Sequence, residues 1–282
     1  MKPIVVVTDS SAYLPETYVD QYQVKVVPLS VNWDGETYRD GVDIQAAEFY
    51  TRLKTAKTMP TTSQVTVGAF LDLFKPLLDA GNDVIYVGIS KEISASYFSA
   101  VQAAAELGNP EGLVIVDSLL VSMALSLMVI EVCKAAARGA DLKECERVAY
   151  EAYPKIGVFF TVETLDYLHR GGRINSAKRL VGSALNLKPI MEIREGKIEL
   201  VESVISRRKS MTRMIDLMER KIEGKRPVVI APFHALCEED LHKLEQMAVE
   251  RVHPSQSILS EVSPVIGSHV GPGTVAIAFI AG

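Results

Sequence analysis

Cysteine is scarce, and Cys133, Cys145 and Cys237 are widely spaced with no Cys-x-x-Cys pair, so neither a disulfide framework nor a zinc site is suggested. Positive charge is not in excess either. The 282 residues hold 30 Lys and Arg against 35 Asp and Glu, a formal net charge of -5, so nothing offers the basic surface that grips phosphate backbones and nucleic acid is not an expected partner. Long hydrophobic runs are also missing. The most apolar stretch, residues 118–130, lies between Asp117 and Glu131 and falls short of the roughly 20 residues a membrane helix needs, so it predicts a buried helix and no stable membrane insertion. The opening MKPIVVVTDSS lacks the length and the small-residue cleavage site of a signal peptide; it predicts a buried strand in a cytoplasmic protein. The sequence contains no GxSxG elbow, GxxxxGK[ST] loop or HExxH pair, which removes support from the usual hydrolase, nucleotide and zincin readings. Gly271, Gly273 and Ala276 satisfy a loose GxGxxA pattern, but they precede a predicted strand instead of opening a helix after one.

What the sequence does contain is an alternation of strand and helix. Short β-branched runs at residues 4–8, 24–31, 84–89, 113–116, 156–162, 227–231 and 274–280 read mostly as strands buried on both faces. Helical patterns at 65–80, 93–107 and 142–153 stop at Gly81, Gly108 and Pro154. This rhythm predicts an α/β fold with a parallel sheet and right-handed crossovers. KPIMEIREGKIELVESV breaks it, because Glu195-Gly196 between two alternating runs signals a hairpin. The expected organisation is two domains: an N-terminal α/β domain over 1–155 and a C-terminal mixed α+β domain over 156–282, divided near Lys155.

Several polar clusters fall where predicted strands end, and open α/β sheets bind ligands beyond the carboxyl ends of their strands. Thr8-Asp9-Ser10-Ser11 can cap a turn or face a ligand. PTTSQ, with Thr61, Thr62, Ser63 and Gln64, precedes an apolar helical run; a helix start seats anions, and an ordinary N-cap competes equally. The segment from Gly88 through Ser90, Lys91, Glu92, Ser94, Ser96 and Tyr97 again puts hydroxyls between a strand and a helix start. In LDYLHRGGRI, Gly171 and Gly172 allow close backbone approach and Arg173 can fork onto a carboxylate or phosphate, unless the glycines only stop a helix. SHVGPG sets His269 on a predicted tight turn, as a pH-sensitive hydrogen-bonding group or simply a structural histidine.

Taken in order, VTDSS, PTTSQ, GIS with SASYFSA, VIVDS, LDYLHRGGRI, KPI and SHVGPG closely resemble the DegV family of bacterial fatty-acid-binding proteins, as a single unit over residues 3–280. The resemblance implies a lipid tunnel between two domains with a fatty-acid carboxylate at its mouth, no further cofactor, and a separate fatty acid kinase that turns the bound acid into an acyl phosphate. Carried over by motif, Thr62 and Ser94 bond the carboxylate. Ser63, Ser96, Arg173 and His269 form the surrounding network, and Arg207 in SRRK matches a family arginine that engages kinase or phosphate. The chain departs from the family pattern at Lys91-Glu92, where a small serine and glycine are usual, and at Ala95-Ser96, where glycine and threonine are usual.

Burying about fifteen methylenes at roughly 0.8 kcal/mol each gives on the order of 12 kcal/mol before association costs, ample for a carrier. Three readings compete with a lipid carrier that is not itself an enzyme. One is an acyl-directed serine hydrolase or transferase with Ser94 as nucleophile and His269 as base, which requires the two in hydrogen-bond reach and a third group orienting the imidazole. The others are an interaction module holding lipid as filler and a binding protein for a small anion.

Overall fold

The computed structural model describes residues 2–180 and 187–282. In the first part of the chain, β1 (Ile4–Asp9), α1 (Glu16–Tyr22), β2 (Lys25–Val27), β3 (Ser30–Trp33), β4 (Glu36–Arg39), α2 (Ala46–Leu53) and β5 (Thr61–Ser63) follow one another. Then come α3 (Val67–Asp79), β6 (Asp83–Gly88), α4 (Ser96–Glu106), β7 (Leu113–Asp117), α5 (Ser122–Ala137) and α6 (Leu142–Ala152). Beyond these lie β8 (Ile156–Thr161), α7 (Asp166–Arg170), β9 (Lys188–Arg194), β10 (Lys197–Val204), α8 (Arg207–Ile222) and β11 (Val228–His234). The last elements are α9 (Glu238–Val252), β12 (Gln256–Ser257), β13 (Ser260–Glu261), α10 (Pro264–Val270) and β14 (Val275–Ala281).

The first sheet is wholly parallel in the order β2-β1-β6-β7. Its connections leave β1 towards β2 on one side and β6 towards β7 on the other, so a crevice opens beyond the carboxyl ends of β1 and β6. The residues predicted as one strand over 24–31 form two, because Pro28 and Leu29 separate β2 in the parallel sheet from β3 in a small antiparallel sheet ordered β4-β3-β5. Proline supplies no ladder donor and ends the first pairing there.

The second sheet runs β10-β9-β8-β14-β11-β12, with β13 also pairing β11. Its pairings are antiparallel except where β12 and β13 join β11. Glu195 and Gly196 both adopt left-handed backbone, φ 51° and 78°, between β9 and β10, the two-residue turn whose twist suits a tight hairpin. The apolar run that is too short for a membrane helix becomes α5. It packs on β1 and β6 of the first sheet and on β8, β11 and β14 of the second, which is why it is apolar on every side. Among the described residues, no helix is long and apolar enough to cross a membrane. The outer face of the second sheet is covered by α8 and α9 through Met211, Met214, Met218, Leu244 and Ala248.

Candidate functional site

Asp9 organises the floor of the crevice. Its carboxylate is fully buried and accepts hydrogen bonds from the Ser11 N–H and hydroxyl, from Tyr86 Oη at 2.8 Å and from the Ile89 N–H at 2.8 Å. Burial raises its pKa, and these four donors oppose the rise. The VTDSS cluster is therefore a structural clasp: it fixes Ile89 at the end of β6, while Ser10 Oγ accepts from the Leu29 N–H.

Above that floor lies a cleft of about 630 Å³ lined by Thr62, Ser63, Gln64, Ser94, Ser99, Arg173 and His269, together with apolar side chains. Thr62 reaches it from the middle of β5, not from a helix start: α3 begins at Val67 and is capped by Thr66. The hydroxyl run pairs with β3 because Thr61, Thr62 and Ser63 suit an edge strand better than a helix. Ser94 lies in the loop before α4, two residues ahead of the helix, and its Oγ is 3.0 Å from Ser96 Oγ, which also accepts from the Val65 N–H. Ser96 thereby joins the loop bearing Ser94 to the segment following Thr62. Ser63 lines the cleft while its Oγ accepts from Asn32 Nδ2 at 2.9 Å. Gln64 and Ser99, bonded to each other at 3.0 Å, belong to the same wall; both lie within the flagged motifs, and the pairing of PTTSQ with SASYFSA is what singles them out.

His269 does not sit on a glycine turn. It is in the last turn of α10, which Gly271 terminates with φ 74°. Its Nε2 lies 2.8 Å from Thr62 Oγ1, and its Nδ1 is buried with no partner among the described residues. A bare lone pair at that position is less costly than an orphaned N–H, so the favoured tautomer carries its proton on Nε2 and donates it to Thr62. The Thr62 hydroxyl hydrogen is then free to donate into the cleft. Gly171 is needed because a Cβ there would fall 2.1 Å from His269 Nδ1: the close approach allowed by the paired glycines is towards this imidazole.

Burial, assisted by the charge on Arg173, pushes the imidazole down from 6.5 to about 4. Folded His269 therefore binds fewer protons than unfolded between those values; its stabilisation is complete above 6.5 and is lost as pH falls towards 4. Asp40, raised to about 7 by burial, acts in the opposite sense, its stabilisation present in acid and lost as pH rises through 7. The informative quantity is thus a difference between proteins. Urea unfolding at pH 7 and pH 5 should show His269→Gln gaining about 2 kcal/mol on the wild type at the lower pH; an unchanged gap would refute the assignment.

Arg173 does not point its fork at open cleft. Nε and Nη2 donate to the Ile93 carbonyl at 3.2 and 3.1 Å, and Nη1 donates to the Gly171 carbonyl at 2.7 Å. Of five N–H donors two remain, and Arg173 is the one cation among the described residues that line the cleft. Ile93, Arg173, Ile266 and His269 also line an apolar arm that runs inwards past Val121, Phe160, Ile193 and Phe233 and has a volume of about 50 Å³. The arrangement is a polar mouth joined at an arginine and a histidine to an apolar interior. Among the described residues, no three His, Cys, Asp or Glu side chains gather as a metal set.

The family model described as "Uncharacterised protein, DegV family" matches residues 3–282. The chain belongs to the DegV family. It is 32% identical over 279 residues to a DegV domain-containing protein of Caldanaerobacter subterraneus subsp. tengcongensis, covering 99% of each chain. It is 34% identical over 280 residues to one of Listeria monocytogenes, covering 98% of each. Its fold matches that of a DegV family protein from Thermus thermophilus described for fatty acid binding, with a TM-score of 0.94 at 29% identity over 100% of both chains. DegV of Bacillus subtilis, described as a fatty acid binding protein, matches with a TM-score of 0.89 at 28% identity, again over 100% of both.

In this DegV chain the charges of Lys91 and Glu92 are drawn into ion pairs. Lys91 pairs with Asp117 at the end of β7 at 3.5 Å, and Glu92 pairs with Lys197 beside the hairpin turn at 3.3 Å. Neither lines the cleft. Ser90 Oγ donates to the Gly196 carbonyl at 2.9 Å, so the same turn is bound to the loop that carries Ser94. Arg207, at the start of α8, lines neither the cleft nor its apolar arm; it is partly buried, bonded to Asp240 at 2.8 Å, and braces α8 against α9. Arg208 and Lys209 are the exposed charges at that helix start.

Proposed function

We propose that this chain binds a long-chain fatty acid between an N-terminal domain over 1–155 and a C-terminal domain over 156–282, and presents its carboxylate to a fatty acid kinase. One observation carries the reading: the hydroxyls of Thr62 and Ser94 share a cleft with Arg173 and His269, and that cleft leads into an apolar arm. Thr62 and Ser94 donate to the carboxylate. Ser63 and Ser96 hold their segments, and Arg173 supplies the charge that a partly desolvated carboxylate requires. His269, neutral at pH 7, fixes the Thr62 hydroxyl rather than acting as a counter-ion.

The chain is a carrier and co-substrate. The partner kinase supplies ATP and metal, and no further cofactor is bound. Around α8, Arg207 with its exposed neighbours Arg208 and Lys209 is the proposed contact for kinase or phosphate. A cytoplasmic location accords with this division of labour. The hydrolase alternative gains no support from the site. Ser94 is bonded to Ser96, the imidazole Nε2 faces Thr62, and among the described residues Nδ1 lacks the third group that would orient it.

A small anion or short-chain acid is favoured by one observation. The apolar arm, at about 50 Å³, has room for only a few water molecules, so a long alkyl chain requires its lining side chains to turn aside. Denaturing extraction and mass spectrometry of the purified protein separates the two readings. A stoichiometric long-chain acid in the wild type, reduced at least tenfold in Thr62→Ala/Ser94→Ala, is the expected result; a folded wild type that carries no lipid would transfer the site to a small anion.

A further inference from the structure

The parallel sheet ends at β7, which pairs with β6 and, among the described residues, with no strand on its other side. Two bonds that bracket the ladder show which of its backbone groups face outwards. The Val84 N–H donates to the Gly112 carbonyl at 2.7 Å, and the Ser118 N–H donates to the Gly88 carbonyl at 3.3 Å. A parallel ladder engages every second residue of a strand, so Val114 and Val116 bond inwards, whereas Leu113, Ile115 and Asp117 turn their N–H and C=O groups to the open edge. Of these groups, the Leu113 N–H is taken by the Pro110 carbonyl at 3.0 Å. Comparable edges are defended. β2 is short and begins with Lys25; β10 is bulged between Leu200 and Glu202 and gives the Leu200 N–H to Ser176 Oγ. The β7 sequence LVIVD has no lysine, proline or bulge, and its one charge, Asp117, is engaged by the Lys91 and Leu119 N–H groups.

The helices beside this edge present apolar side chains. α4 and α6 both pack against β7, and Tyr150 of α6 interacts electrostatically with Tyr97 of α4 and with Asp117, which sets the two tyrosines about the carboxyl end of the strand. Val101, four residues after Tyr97, continues that flank of α4 and is exposed, as Tyr150 is. We propose that a second copy of this chain docks on the edge, β7 against β7, antiparallel about a two-fold axis at Ile115, joining two four-stranded sheets into one. Such an axis mates the outward groups with themselves. Ile115 exchanges two bonds with its own counterpart, and each Asp117 N–H meets the free Leu113 carbonyl of the other copy. Charge agrees with this register: Glu111, exposed and two residues before Leu113, arrives at the end where the second copy's Lys91 leans on Asp117 at 3.5 Å with its ammonium partly in solvent. A face about 17 Å long and about 30 Å across the sheet and both helices buries roughly 1,000 Å² in all, the lower limit for a specific interface, so the dimer should dissociate in the micromolar range. Ser99, on the opposite flank of α4 from Val101, lines the cleft of Thr62 and Arg173, so the pairing leaves that mouth open.

The test is sedimentation velocity of the full chain from about 1 to about 300 μM, over which the 30.9 kDa wild type should move towards twice that mass. Residue 101 is at the middle of α4 and so near the axis, where it meets its own counterpart. Val101→Lys and Val101→Glu, both at an exposed position, should each weaken the dimer at least tenfold, and an equimolar mixture of the two should associate at least as tightly as the wild type. Ile115→Pro removes an outward N–H without touching the inward ladder and should abolish pairing. Thermal melting shows whether each variant is folded; should Ile115→Pro not fold, the Val101 variants decide. A wild type that stays at 30.9 kDa throughout would leave the edge to a different protein and overturn the proposal. A dimer indifferent to Val101→Lys or to folded Ile115→Pro would overturn it too, as would a mixture of the two charged variants no tighter than either alone.

Discussion

Replacing Arg173 by alanine should weaken fatty-acid binding about a hundredfold, measured by displacement of a fluorescent fatty acid. The guanidinium makes three N–H bonds to the carbonyls of Ile93 and Gly171, and its charge lies where the polar cleft meets the apolar arm. Bonds to a charged group are worth about 1.5–3 kcal/mol each, and a hundredfold change corresponds to roughly 2.7 kcal/mol, so losing the counter-charge together with the anchor of the Ser94 loop supplies enough. Arg173→Lys keeps the charge but cannot span both carbonyls in one plane, so most of the loss should persist. Affinity of Arg173→Ala within threefold of the wild type would mean that the carboxylate binds elsewhere.

The largest expected change in stability follows from Asp9→Ala. Four buried donors, the Ser11 N–H and hydroxyl, the Ile89 N–H and the Tyr86 hydroxyl, would lose their acceptor at the carboxyl end of β1. Each orphaned donor costs about 1–3 kcal/mol, and partial relaxation leaves an expected loss of about 3–5 kcal/mol in urea unfolding at pH 7. Asp9→Asn keeps the shape and one acceptor oxygen, and should lose about half as much. A loss below about 1 kcal/mol in Asp9→Ala would show that water replaces the carboxylate there.

The sequence made the alternation, the hairpin at Glu195-Gly196 and the buried character of α5 legible, because periodicity and turn chemistry are local properties. It also identified Thr62, Ser94, Ser96, Arg173 and His269 as members of the cleft or its support, through motifs met in a familiar order. What it could not place were the partners. PTTSQ reads as a helix start until β3 offers it a pairing edge; the SHVGPG glycines read as the seat of His269, yet they end the helix that carries it. The fork of Arg173 looks free for a ligand until the loop before α4 brings the Ile93 carbonyl beneath it. Each misplacement depends on a contact between residues far apart in the chain, on which local propensity is silent.

Thr62 and Ser94 belong to the portion of the chain that builds the parallel sheet, whereas Arg173 and His269 belong to the portion that builds the mixed one. On the proposed function, a guest held by all four would act as a rivet across the seam, adding its binding free energy to the cohesion of the two halves. Prying the halves apart and surrendering the guest become one thermodynamic event, so any macromolecule that wedges the seam open also unloads it, without competing for a single hydrogen bond at the mouth.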